Sequence, residues 1–415
     1  MAASEVDVVV VGGGSAGVAA GRRIAASGRS LLLLEARDRL GGRGLTRIDP
    51  RGGPLDLGCG WLHSADRNPW VAIIEREGGM VARGATPWTQ PLMENGFSAS
   101  EQEAYRSASA AMRERLSNWA ANGKGPDRPV SDFLDPKSRW NGLLSAISTY
   151  VSGAEPDRIS AVDLEAYGDT GENWRVAGGY GAAITAHGAP LPTIFGAAVT
   201  RIDHSGRRIR VESAKGAVEA KAVVICVPSA LIADGVIAFT PDLPDKREAA
   251  AGLPLGLADK LYFLLERPEE FEPESRVFGR TDSAATAAYH FRPLGRPIIE
   301  AYFGGACAEA LERGGEGAFA DFARTELAAH FGADFGRRLE PLPMHLWRAD
   351  PLARGSYSYA APGRAGDRLK LAAPVDGRLF FAGEACSEHD YSTAHGAYRT
   401  GEVAAKAALV ALDAD

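Results

Sequence analysis

The sequence has few cysteines and no long apolar segment. None of the four cysteines among its 415 residues stands in a CxxC pair or at zinc-ligand spacing, so we expect no metal and a reducing, cytoplasmic setting. No run approaches the roughly 20 apolar residues of a membrane span. Glu5 and Asp7 stand where a signal peptide would be basic. We therefore expect neither export nor a membrane partner.

An excess of basic charge is also absent. The chain carries 46 Lys and Arg against 53 Asp and Glu, which gives a net charge of −7. A groove that follows a nucleic-acid backbone needs clustered Lys and Arg, so we expect no nucleic-acid partner. The acidic balance fits a cationic substrate, and the length allows two domains.

Glycine is abundant, with 49 residues, and the stretch VVVVGGGSAGVAAG shows one use of it. Val8–Val11 is typical of a buried parallel strand. Gly12, Gly14 and Gly17 follow as GxGxxG, and this motif leads into a predicted helix from Ser15 to Ser27. A second strand ends at Glu35, close to the spacing of a ribose-binding carboxylate. This order predicts a dinucleotide site. An acid at this position disfavours NADP and leaves NAD and FAD open.

The next stretch, LEARDRLGGRG, favours FAD, because a second glycine–arginine cluster suits a cofactor bound in an extended pose. The string resembles the flavin-containing amine oxidases, a family that includes monoamine and polyamine oxidases. The resemblance implies an α/β fold with a Rossmann-like, glutathione-reductase-type FAD domain. It implies FAD contacts in these first two segments at Gly12, Gly14, Ser15, Ala16, Gly17, Glu35, Ala36, Arg37, Gly42 and Arg43.

Three central segments extend the resemblance. In LDLGCGWLHSADRNPW, Gly58 and Gly60 would let the backbone pass flat along the flavin ring, with Trp61 and His63 near it. VTRIDHSGRRIRVES has the pattern of a β-hairpin with a turn at Ser205–Gly206. Val199 opens it, at the position where the family holds the adenine through backbone. ADKLYFLLE alternates like a strand with one buried and one exposed face. There the family places a lysine, here Lys260, that holds a water against flavin N5.

WRADPLARGSYSYAAPG resembles the family's strand and turn that carry one wall of an aromatic cage. Tyr357 aligns with that wall, and Trp347 would pack near the flavin. Monoamine oxidases attach FAD through a cysteine one position before this tyrosine. Ser356 stands there, and serine forms no thioether, so we expect FAD to be bound non-covalently.

The C-terminal string FFAGEACSEHDYSTAHGAYRTG resembles the family's flavin motif. Gly383 and Glu384 would meet the pyrophosphate and the ribityl chain. A helix from about Thr393, with Ala394 next, would direct its N-terminus at the flavin pyrimidine. Monoamine oxidases have a second cage tyrosine at the position of Thr393. YSTAHGA is closer to spermine and N-acetylpolyamine oxidases.

The resemblance implies an interleaved domain plan. We predict an FAD domain from residues 1–75, 175–240 and 365–415. We predict a substrate domain from residues 76–174 and 241–364, which combines a helical cap with a mixed sheet. The active site would lie between the two domains.

The implied reaction is oxidation of a primary or secondary amine to an imine, with O2 reduced to hydrogen peroxide. Lys260, Tyr357, Thr393 and His63 are the predicted catalytic residues. Three alternatives stay open: an amine dehydrogenase with another acceptor, a desaturase-like oxidoreductase, and a non-catalytic FAD-binding regulatory protein. Histone demethylation is not expected, because no docking domain or coiled-coil insertion is evident.

We expect Lys260→Met to slow the reduction or the reoxidation of the bound flavin by about tenfold or more, because it removes an ammonium that would position water or stabilise negative charge. Stopped-flow absorbance of the two half-reactions measures this. Unchanged rates in both would remove Lys260 from the site.

Overall fold

The computed structural model describes residues 4–123 and 125–414. Residues 1–3 and 415, the two ends of the predicted FAD domain, lie outside this range. The strands are β1 (Ser4–Val11), β2 (Leu31–Leu34), β3 (Thr46–Asp49), β4 (Gly53–Asp56), β5 (Val81–Ala82), β6 (Arg175–Val176), β7 (Thr193–Ile194), β8 (Val199–Asp203), β9 (Ile209–Ser213), β10 (Gly216–Ile225), β11 (Ala238–Thr240), β12 (Ala258–Leu264), β13 (Arg276–Phe278), β14 (Ala288–Phe291), β15 (Ile298–Gly304), β16 (Glu340–Pro341) and β17 (Leu379–Phe381). The α-helices are α1 (Ser15–Ala26), α2 (Pro69–Arg76), α3 (Ala99–Ala121), α4 (Asn141–Ser152), α5 (Ala161–Ala166), α6 (Tyr180–Gly188), α7 (Ser229–Ala233), α8 (Pro244–Ala251), α9 (Gly305–Gly314), α10 (Glu316–Phe331), α11 (Ala333–Arg337), α12 (Asp367–Ala372) and α13 (Ala394–Ala414). Short 3-10 helices cover Pro87–Thr89, Val130–Phe133, Pro268–Glu270, Pro293–Gly295 and Glu384–Cys386.

The larger sheet has the strand order β11-β8-β9-β10-β1-β2-β7, and β17 also pairs with β10. Strand β1 pairs in parallel with both β10 and β2, and Val8–Val10 are fully buried, as expected for a strand that is covered on both faces. Strands β8 and β9 form the predicted antiparallel hairpin. All strands of this sheet lie within the three segments predicted for the FAD domain.

The second sheet is antiparallel throughout, in the order β13-β14-β15-β12-β16. The predicted strand around Lys260 is confirmed as β12. Its expected alternation of buried and exposed residues is wrong, since Ala258–Phe263 are all buried. The reason is that both faces of this sheet are covered: Phe303 packs against Phe319 of α10, while Lys260 and Tyr262 contact the residue that ends β4.

Helices α3, α4 and α5 all lie within residues 76–174, the segment predicted to carry the helical cap. Helix α3 begins at Ala99, where Ser98 and Glu101 form a reciprocal capping box. None of the described helices combines the length and the apolar character that a membrane crossing needs.

The segment 347–363, expected to resemble a strand and turn, contains turns but no regular strand. Ser358 makes an isolated bridge to Leu255, and the rest is turn, bend or irregular backbone. The backbone breaks at Arg354 (φ 61°) and Gly355 (φ 146°). Neither conformation continues a strand, so Tyr357 is presented from an irregular segment.

Helices α1 and α13 cross closely at the larger sheet. A Cβ atom on Gly401 would lie 2.1 Å from the carbonyl oxygen of Ala16, so the crossing requires glycine. At the N-terminal ends, the Ser15 hydroxyl donates to the carbonyl of Ala394 at 2.6 Å. The two N-termini are thereby held side by side.

We expect Gly401→Ala to lower the free energy of unfolding by about 1–3 kcal/mol, because the added methyl group forces the two helices apart. Helix propensity alone predicts the opposite sign, a gain of up to about 1 kcal/mol. Gly317→Ala, in α10, is the matched control, because its added Cβ would meet nothing within 4 Å. Chemical denaturation of the flavin-free protein distinguishes the two. Equal effects of both variants would contradict the close crossing.

Candidate active site

The glycine turn after β1 packs against the rest of the chain at its first and third glycines and borders open space at its second. Gly12 has φ +96°, and a Cβ on Gly17 would lie 1.8 Å from the Gly12 carbonyl oxygen. A Cβ on Gly14 would meet nothing closer than 3.9 Å. Protein contacts therefore require glycine at the first and third positions and leave open space at the second, in front of the N-terminus of α1. An anionic group fits this space.

Glu35, at the end of β2, is buried against this turn. Its Oε2 accepts from the Gly13 N–H at 2.6 Å and its Oε1 from the Arg37 N–H at 2.8 Å. Each carboxylate oxygen keeps a further acceptor site, so the predicted ribose contact stays possible in chemical terms. Ala197 donates to the Glu35 carbonyl, which brings Val199 close to this corner. The Arg37 guanidinium instead pairs with Asp350 at 2.9 Å.

Arg43 and Glu384 form a largely buried pair at the carboxyl end of the larger sheet. Arg43 donates to Glu384 at 2.9 Å, and the Ser358 hydroxyl donates to the same carboxylate at 2.6 Å. Burial alone would raise the pKa of Glu384, but Arg43 and Ser358 hold it below its usual value. Beside it, Gly383 has φ +147°, and its Cβ would meet only the Val227 carbonyl oxygen at 3.9 Å. The Arg43–Glu384 pair thus lies next to open space beside Gly383.

The loop Gly58–Gly60 lies in close contact with Arg43, Trp347 and Lys260. A Cβ on Gly58 would lie 1.7 Å from the Arg43 carbonyl oxygen and 3.2 Å from the Trp347 ring. A Cβ on Gly60 would lie 3.0 Å from the Nζ of Lys260. The Trp347 indole donates to the Leu57 carbonyl at 2.9 Å. The structure thus brings together residues that lie far apart in the sequence.

Lys260 is a buried residue rather than a solvated strand lysine. Its Nζ donates to the carbonyls of Asp56 at 3.0 Å and Gly58 at 2.7 Å. Glu300 lies 3.6 Å away, which is beyond hydrogen-bond distance. An ammonium has three N–H donors, so one donor stays available for a water or a ligand.

His63 has one ring nitrogen fixed by Asn173. Its Nδ1 lies 2.6 Å from the Oδ1 of Asn173, whose amide nitrogen donates to Gly171. The Nδ1–H therefore donates, and Nε2 has no hydrogen-bond partner within the described residues. Burial lowers the pKa of His63, so Nε2 is a neutral acceptor. Trp61 lies nearby, edge-on to Trp88 with ring centroids 4.7 Å apart.

Tyr357 belongs to a cluster of tyrosines. Its hydroxyl lies 3.1 Å from that of Tyr302 and donates to the carbonyl of Tyr150. Burial raises its pKa well above the usual value, so the phenol is neutral. The predicted cage wall is rigid because the hydroxyls of Tyr357 and Tyr302 both have fixed hydrogen-bond partners.

Thr393 acts as a helix cap rather than as a second wall. Its hydroxyl donates to Asp390 at 2.6 Å and accepts from the Gly396 N–H at 2.9 Å. This hydroxyl caps the helix, and the backbone at Ala394 and His395 offers further groups that could hold a cofactor. The N–H groups of these two residues have no partner in the described part of the chain.

These features fit a flavin dinucleotide. The N-termini of α1 and α13 lie side by side, and Glu35 contacts the glycine turn. Open space adjoins Gly14 and Gly383. Sequence reasoning missed four residues that contact predicted site residues: Arg175, Glu300, Tyr302 and Trp88. Glu300 left a signal, because it is the one charge in the apolar run IIEAYF.

Comparisons with known proteins agree with this geometry. The family described as flavin containing amine oxidoreductase matches residues 101–409, and an NAD(P)-binding Rossmann-like domain matches residues 10–76. Polyamine oxidase 2 of Arabidopsis thaliana is 30% identical, over 96% of this chain and 87% of its own length. Polyamine oxidase 3 of Oryza sativa subsp. japonica is 28% identical, over 96% and 88%.

The solved structure of wild-type putrescine oxidase bound to putrescine superposes with a TM-score of 0.78 at 19% identity, over 98% of this chain and 99% of that chain. At this identity the likeness concerns the fold. Together the matches confirm the resemblance, the α/β fold and the enzyme class, a flavin-dependent amine oxidoreductase. The individual site residues stay predictions.

We expect Arg43→Met to destabilise the flavin-free protein by about 1–3 kcal/mol and to weaken flavin binding, because it leaves the buried Glu384 carboxylate short of a cation. Arg51→Met is the control, since Arg51 pairs with Glu340 at the exposed surface and such pairs contribute little. Thermal unfolding and flavin titration measure both. An equal response of the two variants would contradict the role of burial.

Proposed function

Because the chain belongs to the flavin-containing amine oxidoreductase family, we propose that it oxidises a linear diamine or polyamine, with FAD bound non-covalently and O2 as the electron acceptor. The observation that carries the proposal is the close contact of the buried Lys260 with the loop Gly58–Gly60, which His63 follows three residues later. The relatives named polyamine oxidase support the substrate class.

The residues that would hold each part of FAD come from three elements. The N-terminus of α1 would meet the pyrophosphate, Glu35 the ribose, and the N-terminus of α13 the flavin ring. Ser356 supports non-covalent binding: its hydroxyl both donates to and accepts from the backbone of Ala258, at 2.8 and 2.9 Å. This side chain is buried and fully engaged, so it serves the packing of the site.

When bound, FAD would supply the acceptor for a hydride from the carbon next to the substrate nitrogen and would pass the electrons to O2, with hydrogen peroxide as the product. The protein has to present a neutral amine in the correct orientation. His63 accepts a hydrogen bond from the substrate nitrogen through Nε2. Tyr357 and Tyr302 form a neutral wall that excludes bulk water, and Lys260 holds one water or stabilises developing negative charge.

A cytoplasmic setting belongs to the same proposal. All four cysteines are free thiols, as a reducing compartment would keep them. Small-molecule amines and O2 are the proposed partners.

We expect anaerobic mixing with spermine, spermidine or putrescine to bleach the bound flavin rapidly, and aryl-alkyl amines such as benzylamine and tryptamine to react slowly. In air, about one hydrogen peroxide should form per amine consumed. Bleaching by aryl-alkyl amines alone would contradict the substrate class but keep the chemistry. Bleaching without peroxide would indicate a dehydrogenase, and no bleaching by any amine would reject the proposed function.

A further inference from the structure

A chain of buried charged side chains lies behind Lys260. Lys260 of β12 pairs with Tyr302 of β15, and Tyr262 pairs with Glu300. Lys260 and Glu300 are therefore on the same face of the second sheet. Both side chains are about 5% exposed, and their charged atoms lie 3.6 Å apart. The carbonyls of Asp56 and Gly58 cover this face.

The other oxygen of Glu300 binds a second cation. Its Oε2 accepts from the Nη2 of Arg175 at 2.6 Å, and the Arg175 side chain is also buried. The Arg175 guanidinium lies over the Trp61 ring, 4.0 Å from its centroid. One carboxylate therefore contacts two buried cations, and each cation touches the predicted flavin site.

The chain continues outward through His290 and Glu274. His290 stands directly opposite Glu300 on β14, and its Nε2 lies 2.6 Å from the carboxylate of Glu274. Burial lowers the pKa of His290, so its ring is neutral. The cluster then holds two cations, Lys260 and Arg175, against two carboxylates.

Glu300 keeps its charge in this place. Burial alone would raise its pKa, but Arg175 and Lys260 lower it to about 2. A fixed negative charge in a water-poor interior acts more strongly on its neighbours than it would in water. Buried ion pairs seldom add net stability over apolar residues of the same size, so stability gives little reason for this arrangement.

We propose that Glu300 is a positioning residue: it fixes Lys260 and, by partly cancelling the positive charge of Lys260 and Arg175, sets the reduction potential of the bound flavin. The inference rests on the proposed function only for the place of the flavin beside Lys260. It does not depend on which amine is oxidised.

The test is the midpoint potential of the bound flavin, measured by chemical reduction against a reference dye without any amine. Glu300→Gln removes a negative charge and is expected to shift the potential to a more positive value, because reduction adds negative charge to the flavin. Arg175→Gln removes a positive charge and is expected to shift it to a more negative value. Glu300→Asp keeps the charge and should return the potential toward that of the unmodified protein.

Glu326→Gln is the matched control. Glu326 is a buried carboxylate that accepts from Thr286 and Tyr289 at 2.8 and 2.7 Å. Tyr289 alternates with His290 along β14 and so faces the opposite side of the sheet. Unfolding of the flavin-free proteins reports the structural cost of each variant. We expect this control to lose stability without a shift in potential.

A positive shift in Glu300→Gln that Glu300→Asp reverses supports the proposal, and so does a negative shift in Arg175→Gln if the first variant does not fold. Shifts of the same sign in the two charge variants, unchanged potentials, or loss of flavin binding by both would overturn it. Because no amine enters the measurement, failure of amine bleaching would reject the proposed function and leave this test intact.

Discussion

The site depends on Asp56, the last residue of β4, because this residue joins the two halves of the molecule. Its carboxylate accepts from the N–H groups of Tyr180 and Gly181 at the start of α6, where an acid stabilises a helix N-terminus. Its carbonyl accepts from Lys260 and from the Tyr262 hydroxyl on the second sheet, each at 3.0 Å. Asp56 thereby sets the distance between Lys260 and the loop Gly58–Gly60, which follows Asp56 in the chain.

Local chemistry explains which parts of this arrangement could be predicted from the sequence. The glycine turn after β1, the hairpin β8–β9 and the strand β12 follow from patterns within about fifteen residues. The strand expected within segment 347–363 does not form, because a few backbone angles, at Arg354 and Gly355, decide the course of the chain there. Such angles leave no periodic signal.

The missed residues share a different cause. Arg175 and Glu300 meet from separate strands, β6 and β15, beside the predicted residue Trp61. Only the register between β12 and β15 places Glu300 beside Lys260. A sequence gives no direct measure of register between strands that are more than thirty residues apart. A charge inside an apolar run was nevertheless a usable signal, since a buried carboxylate must find a cation. It indicated that a partner existed without showing which one.

The same pairing bears on how a cationic substrate can enter this site. An amine carries positive charge in water, and Lys260 and Arg175 would repel it if they were unpaired. Glu300 and Glu274 offset these charges within the cluster, so an approaching amine meets a nearly neutral interior. In the proposed site, the hydrogen bond of His63 to Asn173 would leave Nε2 as an acceptor for the substrate nitrogen without adding a charge. A site that binds amines and also keeps a lysine beside the flavin would need this internal compensation, which Glu300 of the second sheet would supply.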